Sequence, residues 1–176
     1  KYNFKIIEDA SHALGGSYKD AKIGSCKYSD LTVFSLHPVK MITTGEGGLV
    51  TTNNPSLAKK IRFLRSHGIT KDLSEMRKDS DGPWYYEQHE LGYNYRMPDL
   101  NAALGISQLR KLKEFVEKRE DLSKYYDLHL QNLPLRLPSQ SADCISSRHL
   151  YIIRIDNNNS KLKHKNLFLK LRERNI

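Results

Sequence analysis

Three short β-rich runs open the chain: FKIIED at 4–9, LTVFSLH at 31–37 and GGLVTTN at 47–53. Each has Gly, Pro, Asn or Asp at or near its ends, which is how strands are punctuated. Asn54-Pro55 follows as a helix start, with asparagine as cap and proline at the first helical position. Leu57, Ile61 and Leu64 then give a helical period that stops near His67-Gly68. Residues 67–97 are polar and aromatic without a steady period, and a loop of that length reads as functional or as an interface arm. From Pro98 the helical pattern returns. Leu100, Ala103, Leu104 and Ser107, then Leu109, Leu112 and Val116, then Leu122, Tyr125, Tyr126 and Leu130 mark one face. That span is too long for one ordinary globular helix, so a bend is expected within it; Pro134 and Pro138 end it. His149–Ile155 is a strand candidate, and Asn166 to the end a last helix. Strands and helices alternate first and mix later, so the class is α/β leading into an α+β portion.

Composition narrows the picture a little. The chain has 176 residues, 38% hydrophobic and 28% charged, an ordinary soluble balance. No apolar run reaches the ~18 residues of a membrane helix, and no signal peptide is recognisable. The net charge of +9 raises nucleic acid as a partner. Its distribution argues against that: Lys59-Lys60-Ile61-Arg62 and Lys111-Leu112-Lys113 interleave with apolar positions, as on a solvated helix face. A basic cleft for phosphorylated or nucleotide-linked substrates uses the same charge. Cys26 and Cys144 stand alone, without CxxC or Cys/His spacing, so they read as reduced cytosolic thiols and no metal site is expected. The chain starts inside a strand-like run and stops inside a helical pattern, so it reads as a segment of a longer protein.

The candidate chemistry sits at the strand ends. Asp9 ends what reads as a buried strand, where α/β sheets place ligands, although a turn or cap aspartate looks the same in sequence. His12 lies three residues on and is equally readable as a surface histidine. Lys40 comes just past the second strand with no acid immediately beside it. To attack a carbonyl, a lysine must lose its proton, which requires partial burial or a cationic neighbour. Phe34, Leu36, Val39, Met41 and Ile42 supply apolar surroundings. Ser35 offers a hydroxyl for a phosphate, and the glycines after Glu46 let backbone approach a ligand closely. TGEGG lacks the P-loop lysine and serine spacing and carries little alone. An acid, a lysine and a hydroxyl at strand ends match what pyridoxal 5′-phosphate needs: a Schiff-base lysine, a carboxylate on the pyridinium nitrogen and phosphate anchors.

EDASHALGGSYKDAKIGS, FSLHPVKMITTGEGGLVTTN, RSHGIT and ELGYNYRMPDLNAALGISQL, in that order, resemble successive signatures of the DegT/DnrJ/EryC1/StrS sugar aminotransferases. The resemblance runs almost continuously from residue 4 to about 155. It implies a pyridoxal-phosphate-dependent transferase of fold type I, aspartate aminotransferase-like. The chain would cover the end of the large domain with its interface loop (1–97), connecting helices (98–133) and the beginning of the small α+β domain (134–176). By the same resemblance Lys40 is the Schiff-base lysine and Asp9 the pyridinium partner. His12 lies against the cofactor, Ser35 contacts its phosphate, and Asn94 reaches the phosphate of the neighbouring subunit in a homodimer. The family also contains dehydratases with histidine in place of that lysine, so Lys40 favours transamination. HPVKMITTGEGG together with GPWYYEQHELGYNYRM implies a UDP-linked 4-keto 6-deoxy N-acetylhexosamine as acceptor and L-glutamate as donor, in cytoplasmic assembly of pseudaminic acid, a surface-glycan sugar. Another UDP- or dTDP-keto sugar stays open, as does a non-catalytic chain that only binds cofactor or partner. The family's upstream glycine-threonine turn and ring-covering aromatic are not in this sequence, so the segment alone is expected to be inactive. Arg96, Tyr93, His89, Arg148 and His149 are polar enough to touch a nucleotide diphosphate and are equally readable as structural.

Overall fold

The structure is a computed structural model, and it describes residues 2–155 and 163–176. In chain order the elements are β1 (Ile7–Asp9), β2 (Ser17–Tyr18), β3 (Ala21–Lys22), β4 (Leu31–Ser35), β5 (Gly48–Thr51), α1 (Pro55–Arg65), β6 (Ile69–Thr70), β7 (Glu87–Gln88), α2 (Asp99–Leu109), α3 (Leu112–Leu130), β8 (Leu135–Arg136), β9 (Cys144–Ile145), β10 (Arg154–Ile155) and α4 (His164–Glu173).

The sheet that positions the site has the order β1-β4-β5. β1 runs parallel to β4, with Asp9 opposite Val33, and β5 returns antiparallel, with Gly48 opposite Ser35. Alternation explains β4: Thr32, Phe34 and Leu36 are buried, while Leu31, Val33 and Ser35 are half-buried. Buried Thr32 directs its hydroxyl to the Glu8 carboxylate at 2.9 Å. The expected strand over 4–9 is shorter, and it is not buried: Ile6 is 43% and Ile7 66% exposed. Among the described residues β4 is its only ladder neighbour, so apolar letters there do not translate into burial.

Helix α1 begins where its cap predicts. The Asn54 side chain accepts from the Ser56 and Leu57 amides at 2.9 and 3.2 Å, and Arg62 and Arg65 oppose the dipole's negative end. The helix ends at Arg65, and Gly68 follows with φ +64°. A side chain there would overlap the Glu90 carbonyl, because the chain returns along Gly92 within backbone distance.

The segment expected to be one irregular loop has its own order. β6 pairs with β7, a single 3₁₀ turn spans Leu73–Glu75, and Tyr93–Tyr95 lies along the end of α1. The bend expected after Pro98 falls at Arg110-Lys111, between α2 and α3. Beyond α3, β8 pairs with β10 and β9 joins β2 and β3. The strand expected over His149–Ile155 is confined to Arg154–Ile155, and α4 begins two residues before the expected Asn166. Among the described residues, no helix is long and apolar enough to cross a membrane.

Candidate active site

Asp9 and Ser35 close the carboxyl ends of the neighbouring parallel strands β1 and β4, with Asp9 opposite Val33 and Ser35 two residues further along. Chain direction therefore brings an acid and a hydroxyl to one mouth of the sheet. Ser11 turns back on Asp9, its hydroxyl donating at 2.6 Å and its amide at 3.1 Å to Oδ1. These bonds hold the Asp9 carboxyl below its usual range, with His12 and Lys40 adding smaller pulls in the same direction. Asp9 is thus held as an anion, with Lys40 close enough to act on it.

Lys40 sits in the loop from Leu36 to Gly47, and Leu36 closes both ends of it. The Leu36 amide donates to the Gly47 carbonyl at 2.9 Å; its carbonyl accepts from the Thr44 amide at 3.0 Å and the Thr43 hydroxyl at 3.1 Å. A turn places the Lys40 amide on the His37 carbonyl at 2.9 Å. Four of the five apolar neighbours named from sequence are buried, Phe34, Leu36, Met41 and Ile42; Val39 is 60% exposed, because it stands on the outer side of that turn. No hydrogen bond or ion pair holds the Lys40 amine among the described residues, so it is available to a ligand. Ser35 accepts a long bond of 3.4 Å from the His37 amide, which leaves its hydroxyl proton to donate. From the other side, α2 braces the loop: Asn101 donates to the Thr44 carbonyl at 2.6 Å.

His12 joins this group, and so does His149. Their rings lie 4.3 Å apart, centroid to centroid. Asn94 does not join it. Asn94 is exposed on the strip beside α1, where Tyr93 and Tyr95 bond the Leu64 and Arg65 carbonyls, and no hydrogen bond links it to Asp9, His12, Ser35 or Lys40. Three of the other polar residues singled out are occupied locally. His89 pairs with Glu87 at 2.6 Å, Arg148 with Glu120 at 2.9 Å, and Tyr93 stacks on Tyr95 at 4.8 Å. Asn101 and Thr44 were not foreseen; neither residue type at those positions carries a sequence signal. A cleft of about 720 Å³ between α1 and the arm, lined by Lys59, Lys60, Arg62 and Arg77 among others, contains none of the site residues. The site is an open mouth.

These residues fit pyridoxal 5′-phosphate. A permanent anion, an unpaired amine and a free hydroxyl stand within one mouth, and they are the donor types that a pyridinium nitrogen, an aldehyde and a phosphate require.

Comparison with known proteins agrees with this chemistry. The profile of the DegT/DnrJ/EryC1/StrS aminotransferase family matches residues 1–176. The UDP-4-amino-4,6-dideoxy-N-acetyl-beta-L-altrosamine transaminase of Campylobacter jejuni is 48% identical over 154 residues, 87% of this chain and 38% of its own length. The uncharacterized protein MJ1066 of Methanocaldococcus jannaschii is 42% identical over 176 residues, 99% of this chain and 45% of its own. Among solved structures, Helicobacter pylori PseC, an aminotransferase of pseudaminic acid biosynthesis, superposes with a TM-score of 0.78 at 34% identity, covering 94% of this chain and 43% of that one. The putative sugar aminotransferase Spr1654 of Streptococcus pneumoniae in its PLP form gives 0.78 at 32% identity, covering 95% and 41%. The chain therefore spans less than half the length of these relatives, and its fold is that of the pyridoxal-phosphate-dependent sugar aminotransferases. With its profile matched from end to end, the chain belongs to the DegT/DnrJ/EryC1/StrS aminotransferase family.

Proposed function

We propose that the intact protein carrying this chain is a pyridoxal-phosphate-dependent aminotransferase. It moves an amino group from L-glutamate to the C4 keto group of a UDP-linked 6-deoxy N-acetylhexosamine in pseudaminic acid assembly. The observation that carries this reading is the meeting of Asp9, Ser35 and an unpaired Lys40 at one end of β1 and β4, with Asp9 in the field of Lys40. The 48% identity to the Campylobacter transaminase supports the acceptor, and the PLP and PMP forms of Spr1654 support a reaction in two halves.

When bound, the cofactor supplies an electron-accepting ring that carries the amino group from donor to acceptor. Asp9 keeps the ring nitrogen protonated. The hydrogen bonds that hold Asp9 anionic are what let it do so. Ser35 donates to the phosphate, and His12 lies against the ring. Lys40 would hold the cofactor through its aldehyde, and its amine would serve as the base and acid that carries the proton during amino transfer. Residues 1–97 act as the cofactor-binding part with the arm, 98–133 as connecting helices and 134–176 as the start of the small domain. Asn94, which has no hydrogen bond to Lys40 among the described residues, serves the phosphate of a second subunit in a homodimer.

The test is Lys40→Ala in the intact protein. Amino transfer and the absorbance of lysine-bound cofactor are both expected to vanish, and turnover near the wild-type rate would refute the assignment. Borohydride is expected to fix the cofactor on Lys40, and L-glutamate to convert the wild-type spectrum to the pyridoxamine form. A panel of UDP- and dTDP-keto sugars separates this acceptor from the alternatives. A chain that binds cofactor without catalysis keeps the first spectrum and fails the conversion.

A further inference from the structure

We propose that His149 is a positioning residue for His12, holding its ring where the cofactor is to lie. In this arrangement Ser147–His149 acts as a strap that ties the turn after β1 to α3. The inference rests on the reading of His12 given above.

Three observations carry it. First, the two imidazoles meet at 4.3 Å with planes tilted by 44°, a packing contact between rings. Second, the same strap grips the His12 main chain. The Ser147 side chain, 1% exposed, donates to the His12 carbonyl at 3.0 Å across 135 residues of sequence. Third, the strap is anchored on its far side. Arg119 donates to the carbonyls of Arg148 and His149 at 3.2 and 3.3 Å, and Arg148 pairs with Glu120 at 2.9 Å. Arg148 itself sits at φ +51°, a left-handed conformation that a side-chain-bearing residue keeps only where neighbouring contacts hold it.

The state of the His149 ring fits a packing role. Its Nδ1 is shielded from water and has no hydrogen-bond partner among the described residues. Burial, then the nearby charges of His12, Lys40 and Arg119, push the imidazole below its usual range, which favours the neutral ring. A neutral ring can lie against His12 and beside Lys40 without repelling either.

The experiment uses the intact protein with pyridoxal 5′-phosphate and the variants His149→Ala, His149→Phe and Ser147→Ala. Lys40 is untouched, so His149→Ala is expected to form the lysine-bound cofactor band, with a shifted maximum. It should release cofactor about tenfold faster, and kcat should fall about tenfold while the sugar KM stays within about twofold. His149→Phe restores a ring without nitrogens and is expected to recover retention to within about threefold of wild type; Ser147→Ala falls between. In cofactor-free protein, the His12 imidazole resonance is expected to move in His149→Ala. A wild-type spectrum and release rate in His149→Ala, or a phenylalanine variant no better than alanine, overturns the proposal and leaves the Lys40 assignment standing. Absence of the band in the wild type itself overturns both.

Discussion

Gly105→Ala sets two effects of similar size against each other, and the structure decides between them. Gly105 lies in α2, where exchanging glycine for alanine ordinarily gains about 0.5–1 kcal/mol from reduced backbone entropy. Here the new Cβ would stand 2.7 Å from Thr44 Cγ2, well inside the ~3.5–4.0 Å of a relaxed carbon contact. Thr44 cannot readily turn away. It is 2% exposed, its hydroxyl donates to the Glu46 carbonyl at 2.8 Å, and its own carbonyl is held by Asn101. Overpacking of this kind costs about 1–3 kcal/mol, so the net effect is a loss of about 1 kcal/mol despite the better helix former. In a protein as long as the relatives this chain matches, the thermal midpoint is expected to fall by roughly 1 °C. Thr44 shares the Leu36–Gly47 loop with Lys40, so cofactor retention should weaken as well. Thr44→Ser removes the offending methyl, and in the double variant alanine at 105 should become neutral or stabilising, with a coupling of about 1 kcal/mol. A raised midpoint in Gly105→Ala alone, or zero coupling, would show that the loop yields freely and that α2 does not brace it.

Two further predictions address the arm and α1. Glu87 is lowered to about 2 by hydrogen bonds from His89 first, then from the Arg77 amide, with the Lys78 amide and Tyr85 hydroxyl assisting. Its folded pKa lies below the unfolded value near 4.5, so its contribution is complete above about pH 4.5 and is lost as pH falls from there toward 2. Amide exchange in residues 71–92 should accelerate relative to α3 across that window, and Glu87→Gln should flatten the dependence; an unchanged slope would exclude Glu87 as the arm's organiser. Asn54→Ala removes two cap bonds and is expected to cost about 1 kcal/mol, read as a lower thermal midpoint and faster exchange in the first turn of α1.

Elements with a strong local cause were legible in the sequence. β4 follows from a β-rich run with turn residues at or near its ends, α1 from its Asn-Pro start, and the α2–α3 break from a span too long for one helix. The arm was not, because a carboxylate bonded to two backbone amides organises it, and such bonds leave no hydrophobic period behind. HLYIIRI reads as a strand and mostly is not one. Arg119 occupies the His149 carbonyl and Asp127 draws in the Tyr151 hydroxyl at 2.6 Å, so this stretch is fastened by side chains of α3. Pairing of β2 with β9 joins residues 17–18 to 144–145, and nothing local announces it.

The candidate site divides along the same line. Apart from Asn94, the residues proposed to touch the cofactor stand at or just beyond the ends of β1 and β4, where the chemistry of a residue and its place in a strand can be read together. Those that hold them in place, Asn101 on Thr44 and Ser147 and His149 on His12, come from helices and turns far along the chain. A reactive group is legible from what it is; its bracing is legible only from where it lies. The strap also has a consequence for order. Contacts separated by 135 residues form only after much of the chain is fixed, because the loop between them must lose its freedom before the contact offers any return. The mouth of β1 and β4 can therefore assemble from local contacts with Lys40 and Asp9 in place, while His12 acquires its final setting only when Ser147–His149 docks.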